Sequence, residues 1–436
     1  MIASSQRIAL TPPDRIDAAL TVPGSKSLTN RALLVAALAD GESHLEGVLE
    51  ADDAEVMTLA LRRLGAEIEP DGAATTVRVR GRGGRWRDGP LELDVGLSGT
   101  AVRFLVAAVA LGRGRYRLDG TARMRERPIE DQLAALRGLG VRVSSERGNG
   151  CPPVVVEAEG IAGGRAVVAG DRSSQYLSAL LMSAPYARGP VEVEVSGELQ
   201  SKPFVDMTLS VMRAFGVDVE RQGYERFVVE RARYAPRRFV VEGDAMAAGY
   251  FWAAAAVSGG RVVTHGVGHR SVQGDAAFTD VLELLGCRVV RSESSIAVEG
   301  PEGGMLRGGR FDLNDLPDQA QTLAVLALFA DGPVSIDNVP NLRIKETDRL
   351  HALATELRRF GASVEERHDG LTIVPALSAP ARVEVETYGD HRMAMAFAIA
   401  GVRRHGVSIK EPDCVAKTYP GFFDDLASIG VGVERS

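Results

Sequence analysis

Residues 22–41, VPGSKSLTNRALLVAALADG, join a polar turn to a helix that has almost no polar face. Lys26, Ser27 and Arg31 lie at the start of this helix, and nearly all the residues after them are apolar. A helix that is apolar on every side is buried. Its first turn presents free backbone N–H groups and the positive end of the helix dipole, which favour anions. The two cations therefore indicate either an anion-binding site or charges that face water.

Five further segments resemble this buried helix and recur at intervals of about 70–75 residues. They begin at Gly96, Asp171, Gly243, Leu316 and Tyr388 and read GLSGTAVRFLVAAVALG, DRSSQYLSALLMSAPYA, GDAMAAGYFWAAAAVSG, LPDQAQTLAVLALFADG and YGDHRMAMAFAIAGVRR. Each is preceded and followed by a short segment of alternating hydrophobicity, which predicts a strand. An amphipathic helix ending in glycine comes next, as expected for an outer helix with a left-handed cap.

This repetition predicts an α/β protein of six βαβαββ units with buried helices, three units in each of two lobes. Residues 15–22 and 237–243 are interpreted as the first strands of units one and four. The sixth unit lacks its last strand, and the segment QRIALTP near the N-terminus is a spare strand, so we expect the first twenty or so residues to complete unit six. The chain then crosses between lobes near residues 21 and 242. The predicted lobes are 22–242 (units 1–3) and 1–21 with 243–436 (units 4–6), with a cleft between them.

The composition excludes several classes of function. The net charge of −7 over 436 residues gives no basic surface for nucleic acid. The three cysteines lie far apart and include no CxxC, so we expect neither a disulfide framework nor a zinc site. The sequence contains no P-loop, no GxGxxG between a strand and a helix and no HExxH, which favours a protein without a metal or cofactor. No signal peptide or apolar run of membrane-spanning length is apparent, so we expect a soluble cytoplasmic protein.

Polar residues collect at the starts of the predicted helices. They include Lys26, Ser27, Arg31, Ser98, Gly99, Thr100, Arg103, Arg125, Arg127, Ser173, Ser174, Gln175, Ser201, Lys202, Asp318, Asn341, Lys345, Glu346, Arg349, His391, Arg392 and Lys417. If the units share one orientation within a lobe, these starts meet at the cleft and bring together about seven cations, which suits substrates that carry phosphate and carboxylate groups.

Each of these residues also has a structural interpretation. Lys26 and Lys417 could be solvated surface lysines. Arg349 could pair with Glu346 or Asp348 on its own helix. Ser173 or Ser174, and Asp318, could be helix N-caps, and His391 could be a hydrogen-bonded structural histidine.

Eight segments together resemble the 5-enolpyruvylshikimate-3-phosphate synthase family, the 3-phosphoshikimate 1-carboxyvinyltransferases. They are PGSKSLTNRAL, SGTAVRF, RMRERPIEDQL, DRSSQYLSALL, SKPFVDMTL, NLRIKETDRL, YGDHRMAMAFA and VAKTYPGFF, and they span nearly the whole chain. The resemblance implies a two-lobed fold of six similar units. It also implies transfer of the enolpyruvyl group of phosphoenolpyruvate to the 5-hydroxyl of shikimate 3-phosphate, with release of phosphate and no cofactor.

The resemblance further implies which residues bind each substrate. Those that contact shikimate 3-phosphate are Lys26, Ser27, Arg31, Ser173, Ser174, Gln175, Ser201, Asp318, Asn341 and Lys345. Those that hold phosphoenolpyruvate are Lys26, Gly99, Arg127, Gln175, Arg349, Arg392 and Lys417. Glu346, supported by Lys26, is the candidate proton donor and Asp318 the candidate base. We also expect a monomer whose lobes close on the substrates.

Two features set this chain apart from many members of the family, which have asparagine at the position of Leu97 and tyrosine at that of Phe204. Both replacements remove a polar side chain near the expected substrates. Two alternative functions stay open. One is the related UDP-N-acetylglucosamine enolpyruvyl transferase, although the segment GTARMRERPIED lacks the cysteine that family carries in its mobile loop. The other is a non-catalytic anion-binding protein.

Overall fold

The computed structural model describes residues 6–72, 74–378 and 380–436, and within them the chain forms 24 strands and twelve α-helices. The predicted place of residues 1–5 in the second lobe falls outside the described residues. The strands are β1 Arg7–Thr11, β2 Asp17–Thr21, β3 Glu42–Glu46, β4 Glu67–Pro70, β5 Thr76–Arg80, β6 Leu91–Asp94, β7 Gly114–Asp119, β8 Arg142–Ser145, β9 Val154–Ala158, β10 Gly164–Ala169, β11 Val191–Ser196, β12 Glu220–Gln222, β13 Arg226–Val229, β14 Arg238–Val240, β15 Arg261–His265, β16 Arg288–Arg291, β17 Ser295–Glu299, β18 Gly309–Asp312, β19 Val334–Asp337, β20 Ser363–Arg367, β21 Gly370–Val374, β22 Val383–Val385, β23 Val407–Lys410 and β24 Gly432–Arg435. The α-helices are α1 Lys26–Leu38, α2 Asp52–Arg63, α3 Gly99–Val109, α4 Glu130–Gly138, α5 Ser174–Ser183, α6 Lys202–Ala214, α7 Ala245–Ser258, α8 Phe278–Leu284, α9 Ala320–Leu326, α10 Arg349–Arg359, α11 His391–Arg403 and α12 Phe422–Ser428.

The strands form six sheets of four with one repeated pattern. Their orders are β14-β3-β5-β4, β6-β7-β9-β8, β10-β11-β13-β12, β2-β15-β17-β16, β18-β19-β21-β20 and β22-β23-β1-β24. In each order the first pair is parallel and the next two pairs are antiparallel. A buried helix connects the parallel strands within units two, three, five and six, as a parallel crossover requires. The predicted fold class of six repeated units with buried helices is confirmed.

The chain divides into two compact units. The middle unit is Gly24–Val241, and the terminal unit is Glu242–Ser436 together with the chain up to Pro23. The middle unit contains the three sheets built from β3 to β14, and the terminal unit contains the other three. In the terminal unit β1 lies between β23 and β24, antiparallel to both.

The first strands of units one and four differ from the prediction. Strand β2 precedes α1 in the sequence but pairs in parallel with β15, so it belongs to the sheet of unit four rather than unit one or six. Conversely, β14 precedes α7 but pairs in parallel with β3 of unit one. Units one and four therefore exchange their first strands. The chain passes from unit four to unit one directly after β2, and from unit one to unit four directly after β14.

Each of the two compact units, middle and terminal, encloses three helices in its core. In the middle unit α1, α3 and α5 are buried along nearly their whole length, and in the terminal unit α7, α9 and α11 are buried in the same way. The outer helices end at glycines with positive φ, as predicted from the sequence. These are Gly65, Gly140, Gly216, Gly286, Gly361 and Gly430.

Candidate active site

Serines cap the three buried helices of the middle unit. The hydroxyl oxygens of Ser25, Ser98 and Ser173 accept hydrogen bonds from the backbone N–H groups of the first turns of α1, α3 and α5. The expectation that Ser173 or Ser174 is an N-cap is confirmed for Ser173, while Ser174 is the buried first residue of α5. Each cap satisfies only part of the N–H groups at its helix start. Helix N-termini of this kind favour an anion.

Lys26 begins α1 and is not a solvated surface lysine. Its side chain is 13% exposed, and Nζ lies 3.5 Å from Oδ2 of the buried Asp53 at the start of α2. The lysine is thus held at the helix start by a carboxylate from the neighbouring helix. This partner was not singled out from the sequence, although the acidic start of the second helix in unit one was visible there.

Arg31 is fully buried, and its three hydrogen-bond partners are neutral. Nε donates to Thr208 Oγ1 at 2.7 Å, and the two terminal nitrogens donate to the carbonyl oxygens of Ser27 and Phe204 at 2.9 and 3.0 Å. Burial lowers the pKa of Arg31 to about 9. A buried guanidinium with only neutral acceptors has no negative charge to balance it, so this position favours the binding of an anion. The contacts also tie α1 to α6, which begins after Ser201.

Arg127 lies against Gly99 at the start of α3. A Cβ at Gly99 would lie 2.5 Å from Arg127 Nη2 and 2.7 Å from Arg103 Nη1, so the site leaves no room for a side chain. Gln175 Oε1 accepts from Arg103 Nη1 at 3.2 Å, and Gln175 Nε2 donates to Thr100 at the same distance. The structure therefore brings the predicted residues Gly99, Arg127 and Gln175 into one neighbourhood.

In the terminal unit, Arg349 is a fully buried guanidinium surrounded by three carboxylates. Its Nε donates to Asp390 Oδ2 at 2.7 Å, Nη1 donates to Asp318 Oδ1 at 3.1 Å, and Nη2 donates to Glu346 Oε2 at 2.9 Å. Burial alone would lower the pKa of Arg349, but the charges of Asp390, Glu346 and Asp318 outweigh it and leave the pKa raised. Pairing with Glu346, the structural interpretation of Arg349, is therefore only one of its contacts.

Asp318 does not cap a helix, contrary to one interpretation of the sequence. It lies in a short 3-10 segment, Pro317–Gln319, and α9 has no side-chain cap. Its carboxylate instead accepts from Arg349 and from Arg392 Nη2 at 2.9 Å, and Lys345 Nζ lies 3.8 Å away. Three cations therefore surround this carboxylate, and its bonds to the two guanidinium groups are charge-assisted.

Glu346 and Lys417 form the other side of this cluster. Lys417 Nζ lies 3.7 Å from Glu346 Oε1, and the lysine side chain is 10% exposed, so the interpretation as a solvated lysine is wrong. Asn341 is buried in the 3-10 segment Pro340–Ile344, just before Lys345. One cluster of four cations and three carboxylates thus joins the unpredicted Asp390 to six of the predicted residues, namely Asp318, Lys345, Glu346, Arg349, Arg392 and Lys417.

Two residues beside this cluster were not predicted from the sequence. Asp390 caps α11, accepts from Arg349 through both oxygens and is fully buried next to His391, whose Nδ1 lies 3.5 Å from it. It stood within the quoted segment YGDHRMAMAFA, so the signal was present. Tyr250, inside the apolar helix α7, lies beside Arg392, and burial raises its pKa to about 12. No polar pattern pointed to this tyrosine.

The described residues offer neither a metal site built from clustered side chains nor a membrane-spanning helix. They contain no group of three or more histidine, cysteine, aspartate and glutamate side chains that could hold a metal ion. No helix within the same ranges combines the length and apolar character needed to cross a membrane.

Comparisons with known proteins place this architecture in a family. The sequence model described as EPSP synthase (3-phosphoshikimate 1-carboxyvinyltransferase) matches residues 10–426. A 3-phosphoshikimate 1-carboxyvinyltransferase of Sulfurovum sp. (strain NBC37-1) is 46% identical over 97% of this chain and 99% of its own length. That of Nostoc punctiforme is 47% identical over 94% of this chain and 95% of its own length. A solved structure of EPSP synthase from Acinetobacter baumannii superposes with a TM-score of 0.81 at 27% identity, covering 99% of this chain and all of that one. The chain belongs to the EPSP synthase (3-phosphoshikimate 1-carboxyvinyltransferase) family.

Proposed function

We propose that this enzyme transfers the enolpyruvyl group of phosphoenolpyruvate to the 5-hydroxyl of shikimate 3-phosphate and releases phosphate, a step of the shikimate pathway to aromatic amino acids. The observation that carries the proposal is the Arg349 cluster, in a chain of this family. One buried guanidinium holds both Asp318 and Glu346, the candidate base and the candidate acid. Family membership gives the reaction, and the cluster supplies the groups that it needs.

The carboxylates argue against a protein that only binds anions. Asp318 and Glu346 occupy hydrogen-bond donors of Arg349 and weaken the attraction of the cluster for an anion. A binding protein gains nothing from them. An enzyme that must move two protons needs one group to donate and another to accept, close together and in different protonation states.

The chemistry assigns a step to each group. Glu346 gives a proton to the methylene carbon of phosphoenolpyruvate, which makes the adjacent carbon an oxocarbenium-like electrophile. Asp318 takes the proton of the 5-hydroxyl as its oxygen bonds to that carbon, which yields a tetrahedral intermediate. Glu346, now deprotonated, takes a proton back from the new methyl group while the carbon–oxygen bond to phosphate breaks, which restores the double bond. The departing phosphate keeps the bonding electrons and takes up the proton held by Asp318. Arg349, Arg392 and Lys417 stabilise the carboxylate and the departing phosphate.

Both units contribute binding residues in this proposal. In the middle unit Lys26, Ser27, Arg31, Ser173, Ser174, Gln175 and Ser201 bind shikimate 3-phosphate, while Lys26, Gly99, Arg127 and Gln175 also serve phosphoenolpyruvate. In the terminal unit Asp318, Asn341 and Lys345 bind shikimate 3-phosphate, and Arg349, Arg392 and Lys417 bind phosphoenolpyruvate. The support is chemical: Arg31 is a buried guanidinium with neutral partners, and the predicted terminal residues carry four cations.

We also propose an assembly state, a location and a substrate class for the enzyme. The enzyme acts as a monomer in the cytoplasm without a cofactor, and its substrates are small anions rather than nucleic acid or membrane lipids. Closure of two lobes on the substrates also stays a prediction. The UDP-N-acetylglucosamine enolpyruvyl transferase is disfavoured because the matched family and the named relatives are 3-phosphoshikimate 1-carboxyvinyltransferases.

A coupled phosphate assay tests the function. Phosphate release should require both shikimate 3-phosphate and phosphoenolpyruvate, and release with a UDP-sugar in place of shikimate 3-phosphate would overturn the assignment.

Glu346→Gln keeps the shape of the side chain but cannot donate a carboxylic proton. It should lower kcat by about 10²–10⁴-fold, the usual contribution of a general acid, with little change in either KM. A near-normal kcat would remove Glu346 from the mechanism.

A further inference from the structure

Gln321 is a buried side chain of α9 that contacts both halves of the Arg349–Asp318 pair. It is fully buried three residues after Asp318. With its amide oriented by its surroundings, Nε2 donates to the carbonyl oxygen of Asp318 at 3.0 Å and Oε1 accepts from Arg349 Nε at 2.9 Å. The orientation follows from hydrogen bonding, since the opposite one would face donor to donor and acceptor to acceptor. The amide therefore bridges the backbone of the candidate base and the guanidinium.

The bridge adds an acceptor to Arg349 without adding a charge. The single Nε hydrogen is shared between Asp390 Oδ2, at 2.7 Å, and the amide oxygen of Gln321. Three carboxylates already surround this guanidinium. A fourth at the position of Gln321 would further offset the positive charge that an anionic substrate needs, whereas an amide orients the guanidinium and leaves its charge intact.

We propose that Gln321 is a positioning residue that fixes the Arg349 guanidinium for phosphoenolpyruvate and ties it to the backbone of Asp318. This inference rests on the proposed function, because it concerns the orientation of an arginine assigned to that substrate. Gln321 lies in the fifth buried-helix segment, LPDQAQTLAVLALFADG, but outside the eight segments that resemble the family. Gln321 contacts the side chain of Arg349 but only the backbone of Asp318, so its loss should affect phosphoenolpyruvate more than shikimate 3-phosphate.

Gln319 provides a matched control on the same segment. It is also fully buried, two residues away, but neither of its amide atoms has a hydrogen-bond partner among the described residues. Its amide packs against Gly249 of α7 instead. Replacing either glutamine with methionine keeps the length of the side chain and removes its polar group, so the two variants differ mainly in the bridge to Arg349.

The experiment measures initial rates of phosphate release for the wild type, Gln321→Met, Gln321→Glu and Gln319→Met, varying each substrate at saturation of the other. Thermal unfolding of each protein is followed without substrates. Gln321→Met should lower kcat/KM for phosphoenolpyruvate about tenfold and leave KM for shikimate 3-phosphate within twofold. Gln321→Glu should lower it at least as much, because it adds a fourth carboxylate. Gln319→Met should stay within twofold of the wild type for both substrates.

The outcomes separate this inference from the function beneath it. A wild type that releases no phosphate with both substrates overturns the function and the inference together. An active wild type with an unchanged kcat/KM for phosphoenolpyruvate in Gln321→Met overturns the inference alone, and so does an equal loss for both substrates accompanied by a lower unfolding midpoint. If Gln321→Met does not fold, Gln321→Glu decides: it preserves the shape but places a charge beside Arg349, and an unchanged kcat/KM for phosphoenolpyruvate would overturn the inference.

Discussion

Gly99 is the residue of the candidate site with the least room for a side chain. It begins α3, and the guanidinium groups of Arg127 and Arg103 occupy the space where a Cβ would project. Real Cβ atoms do not approach other heavy atoms to 2.5 Å, so any larger residue must displace at least one arginine. Because a side-chain end moves more easily than backbone, the substitution should displace a guanidinium and leave the fold intact.

Gly99→Ala should therefore weaken phosphoenolpyruvate binding while leaving the protein folded. We expect KM for phosphoenolpyruvate to rise about tenfold, which corresponds to about 1.4 kcal/mol, and KM for shikimate 3-phosphate to change much less. Gly332→Ala is the control, because nothing lies within 4 Å of its added Cβ. Steady-state kinetics with each substrate varied in turn measure both values. An unchanged KM for phosphoenolpyruvate would contradict the assignment of Gly99 and the adjacent Arg127 to its binding site.

Individual residues show which features of the candidate site could be predicted from the sequence and which depend on tertiary contacts. The position of Lys26 at a helix start was predictable, whereas Lys417 ends the 3-10 segment Pro412–Lys417 and lies before α12. The ion pairs of both lysines with Asp53 and Glu346 depend on tertiary structure, because these partners come from other elements. Asp318 carries the same sequence signal as a helix cap. Only the tertiary position of Arg349 and Arg392 decides that it binds cations instead.

Thr208 joins three helices of the middle unit. Its hydroxyl oxygen accepts from Arg31 of α1 at 2.7 Å and lies 2.9 Å from Ser178 Oγ of α5 and 2.8 Å from the carbonyl oxygen of Phe204 in its own helix, α6. All four groups are wholly or partly buried. The position of the Arg31 guanidinium thus depends on how α6 packs against α1.

Thr208→Val keeps the shape of the side chain but leaves a buried nitrogen of Arg31 without its acceptor. Such a loss costs about 1–3 kcal/mol, so we expect the free energy of unfolding to fall by that amount. KM for shikimate 3-phosphate should rise as well. Thr355→Val is the control, because Thr355 is only half-buried and its hydroxyl donates only within α10. Urea unfolding and kinetics measure the two effects, and equal stability of the two variants would contradict the role of Thr208.

Asp119, at the end of β7, holds the segment that leads to Arg127. Arg125 donates to both of its oxygens at 2.8 Å. These bonds lower the pKa of Asp119 to about 2. A carboxyl whose pKa is lower in the folded state stabilises the fold above its unfolded pKa of about 4, and this stabilisation is lost as the pH falls from about 4 to 2.

Asp119→Asn should therefore lower the free energy of unfolding by about 1–2 kcal/mol at pH 7, a value reduced for partial exposure. The difference from the wild type should shrink toward zero near pH 2. Asp218→Asn breaks a highly exposed pair with Arg213 and should change stability by only a few tenths of a kcal/mol at any pH. Urea unfolding between pH 2 and 7 tests this, and a difference that stays constant with pH would contradict it.

The elements themselves were largely predictable, but two strand partners were not. Hydrophobic alternation located the strands before α1 and α7 because it depends only on local burial. Alternation does not say which sheet a strand joins, and β2 and β14 have similar patterns. Their exchange follows from the path of the chain between units, which no local signal in residues 15–22 or 237–243 contains.

At the scale of the whole molecule, the repetition of one unit six times was the strongest signal in the sequence. Six buried helices at nearly constant spacing can be recognised because each must be apolar on all sides, which few other structures require. The substrates were recognisable only through the family resemblance. The geometry of Arg349, with three carboxylates from three segments, emerges only when α9, α10 and α11 are packed together.

The two units should differ in how they fold as fragments. Residues 24–241 contain every strand of their three sheets, so this fragment should unfold cooperatively by itself. Residues 242–436 lack β1 and β2, which leaves β23 and β24 unbridged and β15 without its parallel partner. Arg7 N and Ser436 O lie 2.9 Å apart, so a short glycine-serine linker can join the C-terminus to residue 6. The permuted fragment 242–436–linker–6–23 should therefore unfold cooperatively, whereas 242–436 alone should not. Circular dichroism during heating compares the fragments, and equal midpoints with and without residues 6–23 would show that β1 and β2 are dispensable for the terminal unit.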